Sequence, residues 1–230
     1  MSTENGVTEW EASFEKNMEL LRLASTSGNV KFLSIYQEKM VETTATEAGF
    51  LNHDLSAMDV RTMIYPSDIV EQLRKKNETA VKEIETSCTV LRNTLQDFKE
   101  SYPDAAESDW KSFLDEEVKN QKNEGNKRWD DLKHFGVDKI KQLPESLRSA
   151  IVQVYSAMLV AIAKLTGNIV DWLRDATNKV TQFIRMIMEK IKEFAGKVVE
   201  WCSNTSNLIT SISGDIFSLT VGPQMTSPAS

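Results

Sequence analysis

From Ile169 to Trp201 the apolar residues Ile169, Leu173, Ala176, Val180, Ile184, Ile187, Ile191, Phe194, Val198 and Trp201 recur at steps of 4, 3, 4, 4, 3, 4, 3, 4 and 3. Steps of three and four keep side chains on one face of an α-helix, whereas a strand alternates faces at every residue. The opposite face carries Asp171, Arg174, Asp175, Lys179, Arg185, Glu189, Lys192, Glu193, Lys197 and Glu200. The spacing therefore predicts one long amphipathic helix over 169–201. Its apolar face needs cover, from another helix or from a lipid surface.

The segment just before it is more apolar still. Pro144 suits the first turn of a helix, with Leu143 ahead of it, and the stripe then reads Leu147, Ala150, Ile151, Val154, Tyr155, Met158, Leu159, Ile162 and Leu165. Thr166-Gly167-Asn168 is expected to separate this helix from the next. No charge occurs from Ala150 to Ala163, nor from Ser149 to Val170 if Lys164 is tolerated. A bilayer span takes roughly 20 apolar residues, so the uncharged run is short for a constitutive span. It suits a buried core helix or one that enters a membrane only conditionally.

In the first half, Thr8-Glu9-Trp10-Glu11 reads as a capping box, followed at helical spacing by Trp10, Phe14, Met18 and Leu21, which predicts a helix over 8–25. Val30, Leu33, Tyr36, Met40 and Ala45 mark a second helix ending near Gly49, and Leu55, Met58, Val60 and Met63 a short third. Ile69, Leu73, Ala80, Ile84, Cys88, Leu91, Leu95 and Phe98, with Asn77 filling one slot, nearly follow a heptad, which predicts a rod over about 68–99. Tyr102-Pro103-Asp104 ends it, and Trp110, Phe113, Leu114 and Val118 begin a return helix. Lys119 to Arg128 has no apolar residue and reads as a solvated end or linker, with Trp129, Leu132 and Phe135 closing this half before Gly136. The last stretch, Leu208 to Leu219, fits a helix or an extended tail, and 221–230 is expected to be disordered.

With only 9 Gly and 5 Pro in 230 residues, the chain lacks the turn formers a sheet protein needs. The expected fold is all-α, an elongated multi-helix bundle of long antiparallel amphipathic helices. The net charge of −7 is unevenly spread: residues 137–230 hold ten Lys/Arg against eight Asp/Glu, a balance of +2, which leaves −9 on residues 1–136. The chain thus divides into an acidic half (1–136), an apolar and mildly basic half (137–220) and a tail (221–230), expected to pack as one continuous bundle. Neither half has the clustered cationic excess that phosphate backbones require, so nucleic acid is not an expected partner.

Chemistry leaves few traces. There is no Gly-rich phosphate loop, no His-Glu-x-x-His and no nucleophile elbow. His134, with Asp130 and Asp131 at helical spacing before it, reads as a surface ion pair or cap, and no second such pair exists to complete a metal site with it. Adjacent acids such as Glu116 and Glu117 splay around a helix instead of sharing a site. Cys88 and Cys202 read as separate buried thiols. Met1 to Val7 does not resemble a secretory leader, which makes the cytoplasm the expected compartment and leaves the Asn77 and Asn204 glycosylation patterns inert. No enzyme activity, cofactor or metal is expected.

Two roles remain. In one, the 145–202 region binds or enters a lipid membrane after a soluble bundle rearranges. Trp172, Phe183, Phe194 and Trp201 are then the anchors, Arg174, Lys179, Arg185, Lys192 and Lys197 the cationic edge, and Met158, Leu159 and Ile162 the most apolar segment. In the other, the same stripes join copies of the chain, or the chain and a partner helix, in a structural or scaffold assembly. Whether the apolar face of 169–201 is covered bears on both.

Overall fold

The computed structural model describes residues 8–40 and 66–220. The short helix expected over 55–63, the Gly49 helix end, the first seven residues and the 221–230 tail lie outside the described residues. Seven helices follow one another among the described residues, with no strand: α1 (Glu9–Thr26), α2 (30–40), α3 (Pro66–Ser101), α4 (Glu107–Ile140), α5 (Glu145–Asn178), α6 (Val180–Arg185) and α7 (Ile187–Thr220). The fold is an all-α multi-helix bundle. The 36 residues of α3 make a rod about 54 Å long at 1.5 Å per residue, and α4, α5 and α7 nearly match it.

The most apolar helix occupies the centre. α5 packs against α1, α3, α4, α6 and α7, and α2 reaches it through Leu33, which lies against Gly167. Every residue from Ala150 to Ala163 except Gln153 is buried. A side chain removed from water in this way contributes roughly 1.5–3 kcal/mol if it is a Val, Leu, Ile or Met. The uncharged run is therefore the bundle's core, and the surrounding helices present it with one apolar stripe each.

Direction follows from the contacts. Phe14 stacks on Tyr155 at 5.7 Å between centroids and Gly28 abuts Asp171, so α1 runs parallel to α5. The Tyr155 hydroxyl donates to the Leu132 carbonyl at 3.0 Å and Gly125 faces Thr166, so α4 runs antiparallel to it. Polar ties join the outer helices: Lys76 pairs with Asp131 at 2.5 Å, Lys133 with Glu15 at 2.8 Å and Lys141 with Glu11 at 2.9 Å. The Trp129 indole N–H donates to Ser25 Oγ at 3.0 Å. These contacts lash α1, α3 and α4 together around α5.

Four local readings of the sequence are corrected. Thr166-Gly167-Asn168 does not break a helix, since α5 runs through it. Gly167 is there because a Cβ would come within 3.0 Å of Leu33 Cδ1. Lys119 to Arg128 is no linker but the middle of α4, where buried Gly125 takes the place of an apolar side chain beside Thr166 and Thr26. Gly136 likewise lies inside α4. Thr8 occupies the N-cap of α1 but makes no side-chain cap bond.

The largest correction concerns the helix expected over 169–201. It is interrupted at Lys179 (φ −112°, ψ 36°) and at Met186 (φ −118°, ψ 22°), and the chain reverses between them. α7 then runs back along α5, Trp172 lying on Phe194 with ring centroids 4.3 Å apart. The stripe keeps its register through both interruptions, so Phe183, Ile187, Ile191, Phe194 and Val198 are all still buried.

Candidate functional site

The reversal gathers three of the four expected anchors. Trp172 packs on Phe194 and meets the edge of Phe183 at 5.9 Å. Phe183 reaches Trp110 at 6.0 Å, which reaches Phe98 at 4.6 Å, and Phe98 stacks on Phe113 at 4.2 Å. A chain of rings thus closes the bundle end at which α3 hands over to α4 and α5 to α7. Such pairs add about 0.5–1.5 kcal/mol each beyond their burial. Trp201 is not part of this group. It lies further along α7, partly buried beside Ala161, Lys164 and Leu165 of α5.

Met158, Leu159 and Ile162 sit at the centre of α5 with essentially no exposure. The five cations of the expected edge do not act as one. Arg174 donates to the Ser27 carbonyl in the α1–α2 turn. Lys179 pairs with Asp175 at 2.6 Å and Lys197 with Glu193 at 2.6 Å. Lys190 reaches the same Glu193 at 2.9 Å, and hydrogen bonds from Lys197 and Lys190 hold the Glu193 carboxyl down to about 2. Arg185 and Lys192 are exposed, and neither makes an ion pair or a side-chain hydrogen bond with another described residue.

A second property of α7 is visible only in the fold. Its side-chain hydrogen bonds and ion pairs, Lys190–Glu193, Lys197–Glu193 and Ser213 to the Thr210 carbonyl, all stay within the helix. Among the described residues, no ion pair or side-chain hydrogen bond ties α6 or α7 to another helix. Among the described residues, α7 is held on α3 and α5 chiefly by apolar packing, unlike the lashed α1, α3 and α4.

Two further features involve buried polar or thiol groups. Asn77, on the rod α3, is fully buried, and neither its amide oxygen nor its nitrogen has a hydrogen-bond partner. Its glycosylation pattern is therefore inaccessible in this fold. Cys88 on α3 and Cys202 on α7 are buried free thiols. Burial pushes the first up to about 12, with the Cys202 sulfur adding to it, and the second up to about 11.

Chemical groups elsewhere do not converge. A groove of about 840 Å³ between α3 and α4 is lined by Ser87, Leu91, Glu117, Glu124, Arg128 and other polar residues. Its Ser87 hydroxyl is engaged by Glu124 at 2.5 Å, with no imidazole lining the groove. His134 is exposed on α4, and its neighbour Asp131 pairs with Lys76 instead. Among the described residues no three of His, Cys, Asp or Glu come together as a metal requires. Comparison with known protein families, with characterised proteins and with solved structures finds no match to this chain.

Proposed function

We propose that this is a non-enzymatic membrane-engaging protein, cytoplasmic and soluble at rest, that binds or enters a lipid bilayer through α5–α7 once the bundle rearranges. The observation that carries the reading is the placement of α5. It is the one described helix long and apolar enough to cross a membrane, yet its most apolar 18-residue stretch is 89% buried inside amphipathic helices. Such an arrangement stores a bilayer-competent helix in a water-soluble jacket. Moving its apolar surface from protein to lipid exchanges one apolar surrounding for another, so the net free-energy change of release is small compared with exposure to water.

Vesicle flotation of the full chain tests this. Binding to vesicles containing phosphatidylserine is expected, weakening as salt rises. Arg185→Glu with Lys192→Glu should weaken it by about 1 kcal/mol or more per reversed charge. Neither side chain has a polar partner to lose, so stability should hold. No flotation at low salt overturns the proposal.

A helix-mediated homo-oligomer is the second reading. It is favoured by apolar side chains that the bundle leaves outside, Leu23 on α1, Val90 on α3 and Val199 on α7, each more than half exposed. A monomeric mass by sedimentation at high concentration would exclude it.

A further inference from the structure

Three of the four chain reversals among the described helices carry a residue that stops a helix. Gly28, at φ +64°, turns α1 into α2. Pro103 lies between α3 and α4, and Pro144 precedes α5. These reversals are written into local chemistry, since a positive φ suits glycine and a proline cannot continue a helix. The fourth, from α5 to α7, has neither residue anywhere between 168 and 195. The nearest glycines, Gly167 and Gly196, lie within α5 and α7.

The departure from helix is confined to two residues. Only Lys179 and Met186 leave helical geometry, with ψ of 36° and 22° against about −42° in a regular helix. Bonds of α-helical spacing run up to each point and resume from it: Lys179 N–H to the Asp175 carbonyl at 3.0 Å, Phe183 N–H to Lys179 at 2.8 Å, Met186 N–H to Gln182 at 3.2 Å and Lys190 N–H to Met186 at 2.8 Å. The side-chain pattern ignores the interruption, because apolar steps of three and four continue from Ile169 to Trp201 without a slip. A stripe in unbroken register is what a straight helix needs and a hairpin does not.

To these observations is added that, among the described residues, no ion pair or side-chain hydrogen bond ties α7 to another helix. We propose that 179–186 is a hinge that straightens on an anionic lipid bilayer, joining the end of α5, α6 and α7 into one continuous amphipathic helix over 169–201. This inference rests on the membrane reading and adds its mechanism. In the hairpin, the apolar stripe is covered by α3, α4 and α5. In the straightened helix the same stripe faces acyl chains, with Trp172 and Trp201 near its two ends. Lys179, Arg185, Lys192 and Lys197 then share one polar face toward the headgroups. Among the described residues, no ion pair or side-chain hydrogen bond between α7 and another helix has to break, while the ion pairs among α1, α3 and α4 can stay closed.

Spin labels at Asp171→Cys and Glu200→Cys, in a chain carrying Cys88→Ala and Cys202→Ala, measure the change directly. Both positions are exposed. In the hairpin they sit on adjacent helices whose axes pack about 10 Å apart. In a straight helix the 29 intervening steps separate them by about 44 Å along one face. Pulsed dipolar spectroscopy should give a short distance in solution and a population near the longer value on phosphatidylcholine/phosphatidylserine vesicles. Flotation with the short distance retained overturns the hinge and leaves membrane binding standing, whereas no flotation overturns both.

Discussion

Gly136 and Gly196 offer a sharp test of the packing, because the same substitution should act in opposite directions at the two sites. Both glycines lie within helices, α4 and α7, so alanine brings each a gain in helix propensity of up to about 1 kcal/mol. At Gly196 nothing lies within 4 Å of the added Cβ, and Gly196→Ala should stabilise by most of that amount. At Gly136 the Cβ would fall 2.4 Å from Tyr155 Cε1 and 3.0 Å from Phe14 Cζ. The Tyr155 ring cannot slide away freely, since it is wholly buried, stacked on Phe14 and tethered through its hydroxyl to the Leu132 carbonyl. Overpacking of this kind costs about 1–3 kcal/mol, and displacing the ring sacrifices a hydrogen bond worth about 1 kcal/mol. After the propensity gain, Gly136→Ala should destabilise by roughly 1–3 kcal/mol. Urea unfolding followed by circular dichroism reads both variants, and the two midpoints should move apart. Equal stabilisation by the two substitutions would refute the close approach of α1, α4 and α5 on which the fold is built.

Asn77→Leu removes a buried amide with no partner and should stabilise by about 1–2 kcal/mol, again by urea midpoint; a loss of stability would show that the amide is satisfied in the folded protein. Burial, reinforced by the Glu124 and Glu116 carboxylates, raises the Glu117 carboxyl above its ordinary value. The folded state therefore holds that proton more tightly than the unfolded chain does, so ionised Glu117 costs stability at pH 7. That cost disappears as the pH falls into the carboxylate range. Glu117→Gln should accordingly raise the midpoint at pH 7, by less than about 1 kcal/mol at a partly exposed site, and reduce the stability gained between pH 7 and pH 5. A midpoint unchanged at both pH values would leave Glu117 without this role.

Much of the architecture is legible in single residues. Thr8 marks the start of α1, the Asn77-interrupted heptad marks α3 almost to its ends, and Pro103 and Pro144 bracket α4. Glycine accounts for part of what the sequence hides. In a sequence it signals a turn, yet Gly125, Gly136 and Gly167 are all inside helices, and Gly136 and Gly167 let a neighbouring helix come close. That distinction depends on Tyr155 and Leu33, residues remote in sequence, and no local pattern carries it. The anchors were recognisable as apolar and aromatic residues at helical spacing. Their convergence on Trp110 and Phe98 was not, because it follows from a reversal that has no stop signal of its own.

That missing signal bears on energetics. A turn written with proline or a positive-φ glycine makes the helical alternative expensive, by about 3 kcal/mol for a proline in a helix interior. Lys179 and Met186 impose no such penalty, so the balance between hairpin and straight helix is left to what covers the apolar stripe. In water that cover is α3, α4 and α5. The cover is substantial, since Phe183, Ile187, Ile191, Phe194 and Val198 each bury an apolar side chain, at roughly 1.5–3 kcal/mol apiece. Straightening in water would forfeit most of that and expose part of α5 as well, so the hairpin should dominate without lipid. In the proposed lipid-bound form the same side chains would be buried in acyl chains, and the term that enforces the hairpin would largely cancel. Under that proposal the conformation of 169–201 depends on what surrounds it, because no local stop signal fixes the hairpin.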